Sequence, residues 1–239
     1  MTLRDNTSDH RAAPPLPGHW EDAMRADGDA SWPILRWRPP IAYRMVSSAP
    51  VGGGAGDRRW WLNAMVSAQY FHPDPQAHLA EMAAHARLFG LGVGMLTAAD
   101  VRRRMWAADE TACAVATVGL GVPIWAAASD RQIAAETHGR VGTINILVVV
   151  NRPVSDAALV NLVVTATEAK TQALLHNGCA ATGTSSDAIA VAAPIGAVDD
   201  EGRYGGPRST VGISAARCVA AAVGAGTRDW LRWAQSRRM

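Results

Sequence analysis

Residues 142–151 read "GTINILVVVN", with five apolar residues in unbroken succession at 146–150. A strand with no polar side chain has no face to give to water, so it must lie inside a sheet covered on both sides. That requirement forces layers of structure above and below one central strand. A chain of 239 residues, 49% of them hydrophobic, has the material for such layers. Pro153 ends the strand, and Ser155 then stands as N-cap of a helix running to about His176. Asp156 suits the positive end of its dipole, and Gly178 lies just past its end. After the helix, "HNGCAATGTSSDAIAVAAP" (176–194) sets Thr182, Thr184, Ser185, Ser186 and Asp187 around Gly183, directly before a second run without polar side chains.

The rest of the chain supplies the other layers. Residues 1–31, rich in Asp, Arg, Pro and Ala and without an apolar leader, read as a mobile tail ahead of one domain over 32–239. Short extended runs at 34–37 and 41–47 are parted by Pro39 and Pro40, and "WWLNAMV" (60–66) reads as a third strand whose one polar member is Asn63. Proline at its first position opens a helix over 75–88. "GLGVGMLTAADVRRRMW" reads as a glycine-rich connection followed by a short helix capped by Thr97, and residues 112–121 return to strand composition. Residues 211–226 form a small-residue helix, followed after Thr227 by the amphipathic "RDWLRWAQSRR". Strands first, then helix and strand in alternation, make an α+β fold: a mixed β-sheet core packed by helices in a single compact domain.

Composition excludes several functions. Twenty-three basic residues against 21 acidic, dispersed along the chain, leave a net charge of +2 and no footprint for a nucleic acid. The three cysteines, Cys113, Cys179 and Cys218, lie far apart without C-x-x-C spacing, which argues against a disulfide framework and for a reducing, cytoplasmic location. The longest apolar run, 113–128, is interrupted by Gly119, Gly121 and Pro123 and falls short of a membrane span, so no membrane partner is expected. "ATGTSSD" lacks the ending of a phosphate-binding P-loop, and neither G-x-S-x-G nor H-E-x-x-H occurs.

Several constellations remain. His78, Glu81 and His85 have a spacing that could bring three metal ligands onto one helix face, against the plainer reading of a solvated face; no metal site is assigned. Nine tryptophans against two phenylalanines suggest pocket walls for a large flat ligand from Trp37, Trp60, Trp61, Trp106 or Trp125, although tryptophan is more often core. His138, in a loop before the central strand, is a candidate acid or base. Within the long helix Asn161, Thr165, Glu168 and Gln172 follow steps of four, three and four and share one stripe. The hydroxyl-rich 182–187 segment is either a turn that caps its own backbone or a pocket whose hydroxyls and N–H groups surround a polarised carbonyl oxygen.

Six blocks, "SSAPVGGG", "WWLNAMV", "GLGVGMLTAADV", "GTINILVVVNRPVSDAALVNLVVTATEAKTQAL", "ATGTSSDAIAVAAP" and "GGPRSTVG", resemble the adenosylcobinamide amidohydrolases and come in the same order, across about residues 33–224. The resemblance implies corrinoid salvage: hydrolysis of the amide between the aminopropanol arm and the corrin ring of adenosylcobinamide, giving adenosylcobyric acid. The corrinoid is then the substrate and no cofactor is expected. Where the family's pattern would place an asparagine before the paired glycines this chain has Val51, so no role for that asparagine carries over. The D-x-H-x-x-G pattern of proteins that ligate cobalt through histidine is absent.

Amide hydrolysis needs a nucleophile, a proton donor for the leaving amine and a stabilised oxyanion. Two routes are open. Thr182, Thr184 or Ser185 attacks the carbonyl, or Glu168 or Asp187 activates a water while the 182–186 loop supplies oxyanion donors; the second is preferred. Asn63, Asn145, Thr165, His138, Gly183 and Ser186 are the expected substrate-binding positions. The alternatives are a corrinoid-binding module without catalysis, motivated by Val51, and a metal-dependent amide hydrolase built on His78, Glu81 and His85. A homo-oligomer is compatible with the sequence.

Overall fold

The alternation of apolar side chains decides which way each strand faces. The computed structural model describes residues 3–6, 12–136 and 142–237. Its first half contains β1 (Arg4–Asp5), β2 (His19–Asp27), β3 (Ala30–Arg38), β4 (Tyr43–Ser47), β5 (Gly54–Arg58), β6 (Trp61–Met65), α1 (Pro75–His85) and β7 (Val93–Thr97). The second half adds β8 (Met105–Ala108), β9 (Ala112–Gly119), α2 (Asp130–Glu136), β10 (Thr143–Val150), α3 (Asp156–His176), β11 (Ala188–Pro194) and α4 (Thr210–Ser236). A seven-stranded sheet runs β1-β8-β9-β10-β11-β4-β5 and a four-stranded sheet runs β2-β3-β6-β7. All neighbours are antiparallel except two parallel pairs, β10 with β11 and β6 with β7. Parallel strands need a long crossover, and α3 and α1 provide it.

On β10 the even residues Ile144, Ile146, Val148 and Val150 pack against α3 and α4, while Leu147 and Val149 pack against the smaller sheet. β11 repeats the division, with Ile189 and Val191 toward the helices and Ala188, Ala190 and Ala192 toward the second sheet. The inter-sheet core is filled by Trp37, Trp61, Met45 and Met95, and α1 covers the outer face of the smaller sheet through Leu79, Met82 and Ala83. The layers are therefore helix, sheet, sheet, helix. The central strand is covered on both faces as its sequence requires, but by a second sheet on one side, so the α+β core holds two mixed sheets.

Three expectations change. Residues 19–27, placed in the mobile tail, are β2, the edge partner of β3 over a nine-residue register from His19↔Arg38 to Asp27↔Ala30. Polar composition misleads there because the strand meets the core at few positions: Trp20 stacks on Trp61 with ring centroids 5.8 Å apart, and Ala23 packs against the cluster beneath α1. Residues 93–97, read as a connection leading to a helix capped by Thr97, form β7 beside β6, and a 3₁₀ turn at Val101–Arg103 capped by Asp100 stands in place of that helix. Here burial of Val93 and Met95 between the sheets overrides the glycines' preference for turns. The helix at the carboxyl end is continuous through Gly224 and Gly226. A side chain at Gly226 would meet Val118 of β9, so its absence lets α4 lie close on the sheet. By length and composition α4 could cross a membrane, yet 67% of that window is buried within the fold.

Candidate active site

β10 and β11 are parallel, so their amino-terminal ends lie side by side, and the residues just before β11 meet those opening β10. At this edge Asp187 is the centre of a compact cluster. Its Oδ2 accepts from Lys170 Nζ at 2.5 Å and from the Thr184 backbone N–H at 3.1 Å. Its Oδ1 accepts from the Thr184 hydroxyl at 2.5 Å and from the Ile144 N–H at 2.9 Å. The ion pair is withdrawn from water, with side-chain exposures of 8% for Lys170 and 10% for Asp187. A buried carboxylate costs several kcal/mol unless it is paired and hydrogen-bonded, and these four donors meet that demand.

The loop is held from two sides. Thr182 donates its hydroxyl to the Ile124 carbonyl and accepts from the Ala126 N–H, and the backbone of Gly183 bridges to Ile124. From α3, the Thr171 hydroxyl donates to the Thr182 carbonyl. Gly183 has a steric reason as well: a Cβ there would run into the Asp187 carboxylate and lie 2.6 Å from Lys170 Nζ. Ser186 shares a 2.7 Å hydrogen bond with the Thr143 hydroxyl and donates to the Gly142 carbonyl. Ser185 is exposed.

The other expected site residues separate from this cluster. Lys170 and Glu168 are two positions apart on one helix, about 200° in rotation. Lys170 turns inward to Asp187, and Glu168 lies exposed in a shallow groove on the outer face of α3 with Thr171, Gln172 and His176. Thr165 is buried one turn earlier, donating to the Gly205 carbonyl at 2.9 Å, so the stripe through Asn161, Thr165, Glu168 and Gln172 passes beneath a loop and does not form one surface. Asn63 and Asn145 are fully enclosed between the sheets, where Asn145 donates to Asn63 Oδ1 and to the Leu96 carbonyl, and Asn63 donates to Thr117. They pin the two sheets together below the edge that carries Asp187. His138 lies outside the described residues.

The tryptophans divide in the same way. Trp37, Trp60 and Trp61 are core, whereas Trp125, 42% exposed, stands between the two residues that clamp Thr182. His78 stacks on His72 and Tyr70, and burial, followed by the charge of His72, lowers its pKa. Among the described residues no group of three or more His, Cys, Asp or Glu side chains is placed to hold a metal ion.

A family model described as adenosylcobinamide amidohydrolase matches residues 20–235. The chain belongs to that family. Its membership makes it a hydrolase of carbon–nitrogen amide bonds. An adenosylcobinamide amidohydrolase of Methanosarcina mazei is 30% identical over 145 residues, 61% of this chain and 67% of that one. Another, of Halobacterium salinarum, is 40% identical over 82 residues, 34% of either chain. Among solved structures, a protein of Pyrococcus horikoshii superposes with a TM-score of 0.46 at 10% identity, covering 90% of this chain and 84% of that one. An L-aminopeptidase D-Ala-esterase/amidase of Ochrobactrum anthropi superposes with a TM-score of 0.38 at 11% identity, covering 87% of this chain and 82% of that one.

The sequence of this amidohydrolase family member carries one further signal. Lys170 is its single lysine; the other 22 of its 23 basic residues are arginine. An ammonium is a compact point charge with three donors, where a guanidinium is a broad planar fork, and the Lys170 ammonium lies close against Gly183. One of its three donors goes to Asp187. Of the hydroxyls in the loop, Thr184 alone donates to a carboxylate. Those of Thr182 and Ser186 donate to backbone carbonyls.

Proposed function

We propose that this chain hydrolyses the amide joining the aminopropanol arm of adenosylcobinamide to its corrin ring, releasing adenosylcobyric acid for corrinoid salvage, with Thr184 as nucleophile. The observation that carries the residue assignment is the 2.5 Å hydrogen bond from the Thr184 hydroxyl to Asp187, itself paired with the single lysine. A hydroxyl is a weak nucleophile at neutral pH and needs an adjacent base. Thr184 Oγ bonds to the amide carbon while its proton passes to Asp187. A free N–H of Lys170 faces the negative charge that develops on the carbonyl oxygen. When the C–N bond breaks, the proton on Asp187 goes to the departing amine. Water then attacks the ester on Thr184 as Asp187 takes its proton, and the C–O bond breaks as that proton passes to Thr184 Oγ, restoring the hydroxyl and releasing the acid. Glu168, exposed on the outer side of α3, takes no part in this route.

Trp125, exposed beside the clamped loop, offers an apolar plane to the corrin ring. In this proposal the corrinoid enters as substrate, and the enzyme works in the cytoplasm without a resident cofactor. Purified protein incubated with adenosylcobinamide should release aminopropanol detectable by mass spectrometry. Thr184→Ala and Asp187→Asn should each lower kcat by about 100-fold or more, the scale of positioned acid–base catalysis, while Glu168→Gln retains it. Thr184→Ser should keep partial activity. Full activity in Thr184→Ala would reject Thr184 as nucleophile, and binding without release by the wild-type chain would leave a corrinoid-binding module.

A further inference from the structure

A cavity of about 370 Å³ opens where the end of β9 meets the last turns of α4. Its volume is near the lower end of the roughly 300–1,000 Å³ of small-molecule pockets, too small for a corrin macrocycle with its fringe of amides and of a size for one appendage. Two indoles, Trp230 and Trp233, stand in its wall with centroids 6.4 Å apart and a 46° tilt, both partly buried. Gly119 and Gly121 also line it.

Two of the three guanidiniums in the lining are paired with carboxylates. Arg103 makes a two-pronged pair with Asp229 at 2.8 Å on both arms, and Arg102 does the same with Asp100 at 2.9 and 2.7 Å. Arg237 lies over the Trp233 ring at 4.7 Å. Three guanidiniums beside two carboxylates leave too little free positive charge for a phosphate group, which would demand unpaired cations. The lining instead offers flat aromatic faces for stacking with carboxylates and guanidiniums around them, which is the chemistry that holds a neutral purine nucleoside.

Its location links the cavity to the reacting groups. Gly119 is the register partner of Thr143, and the Thr143 hydroxyl is bonded to Ser186, next to Asp187. From β9 across β10 to β11 is two strand spacings, about 10 Å. A group borne on one face of a corrin ring and an amide at the ring's rim are separated on that scale.

We propose that this cavity seats the adenosyl group of the substrate, with its purine against the indoles of Trp230 and Trp233. The proposal rests on the substrate named above. Full-length protein is titrated with adenosine alone, followed by tryptophan fluorescence, and KM is measured for adenosylcobinamide and for cyanocobinamide. Wild type should quench with adenosine and have the lower KM for the adenosylated substrate. In Trp233→Ala and Trp230→Ala the adenosine affinity should fall by about tenfold, as expected for a lost base-stacking contact, and the ratio of the two KM values should approach one. Trp233→Phe should restore most of both, which separates stacking from a fault in folding. Turnover with no adenosine quenching and a KM ratio that these variants leave unmoved would overturn the cavity assignment while leaving the amidase reading intact. If neither corrinoid is hydrolysed, the amidase reading fails and the adenosine titration decides alone: quenching lost in Trp233→Ala supports a nucleoside site, and no quenching rejects it.

Discussion

At the scale of single residues, the ion pair between Lys170 and Asp187 governs what substitutions should do. Removing one partner of a buried pair leaves an uncompensated charge, so Lys170→Met should cost about 3–5 kcal/mol, read from urea denaturation. Lys170→Arg keeps the charge but brings a planar fork into space bounded by Gly183. It should therefore fail to restore kcat, and full activity in that variant would show that any cation suffices. Gly183→Ala should push Lys170 and Asp187 out of line. A displacement of about 1 Å near reacting groups costs on the order of 100-fold in rate, and near-ultraviolet circular dichroism should show the fold retained.

Two further residues give a pH prediction. Burial pushes the Cys113 thiol far above its ordinary 9.0 and the Cys218 thiol up to about 12. Their folded forms hold protons that the unfolded chain releases from about pH 9 upward. The resulting contribution is fully present below that point and is lost as pH rises toward the folded values. Melting temperature should decline above pH 9, and Cys218→Ala should make the decline shallower. A profile flat from pH 8 to 11 would contradict this reading.

At the scale of elements, α3 does two jobs. Its inner face packs Leu159, Leu162 and Ala166 on the larger sheet, and its second half delivers Lys170 and Thr171 to the loop before β11. Its start is fixed by Ser155, whose hydroxyl accepts from the Ala158 N–H at 3.1 Å, and by Asp156, bound on both oxygens by Arg44 of β4. Ser155→Ala should cost about 1 kcal/mol, visible as a lower denaturation midpoint with an unchanged slope. Because the cap lies four turns from Lys170, kcat should change far less than stability.

At the scale of the whole molecule, the amino-terminal segment belongs to the fold. β2 covers the edge of β3, Trp37 donates its indole N–H to the Pro17 carbonyl, and Trp20 lies on Trp61. Deleting residues 1–27 would bare a nine-residue edge with unpaired N–H and C=O groups beside buried tryptophans. Such edges recruit other strands, so the shortened chain should melt earlier and aggregate on heating, as light scattering would record. Equal stability would mean that β2 contributes nothing to the core.

What the sequence by itself determined is what depends on neighbours along the chain. The unbroken run at 146–150 required a central strand, Ser155 and Gly178 bounded α3, and six blocks resembled the right family, all through local periodicity, capping or contiguous pattern. The density of hydroxyls before β11 likewise pointed to the loop that now surrounds Asp187. Only the tertiary structure decided which of those hydroxyls meets a carboxylate, because Thr182, Thr184 and Ser186 have the same chemistry and differ in the strand or helix opposite each of them. It also set Lys170, and not Glu168, beside Asp187, by the side of α3 on which each falls. The second sheet escaped the sequence for the same reason: β2 and β7 are strands because of the partners they lie beside, and that pairing is a long-range contact no local pattern encodes.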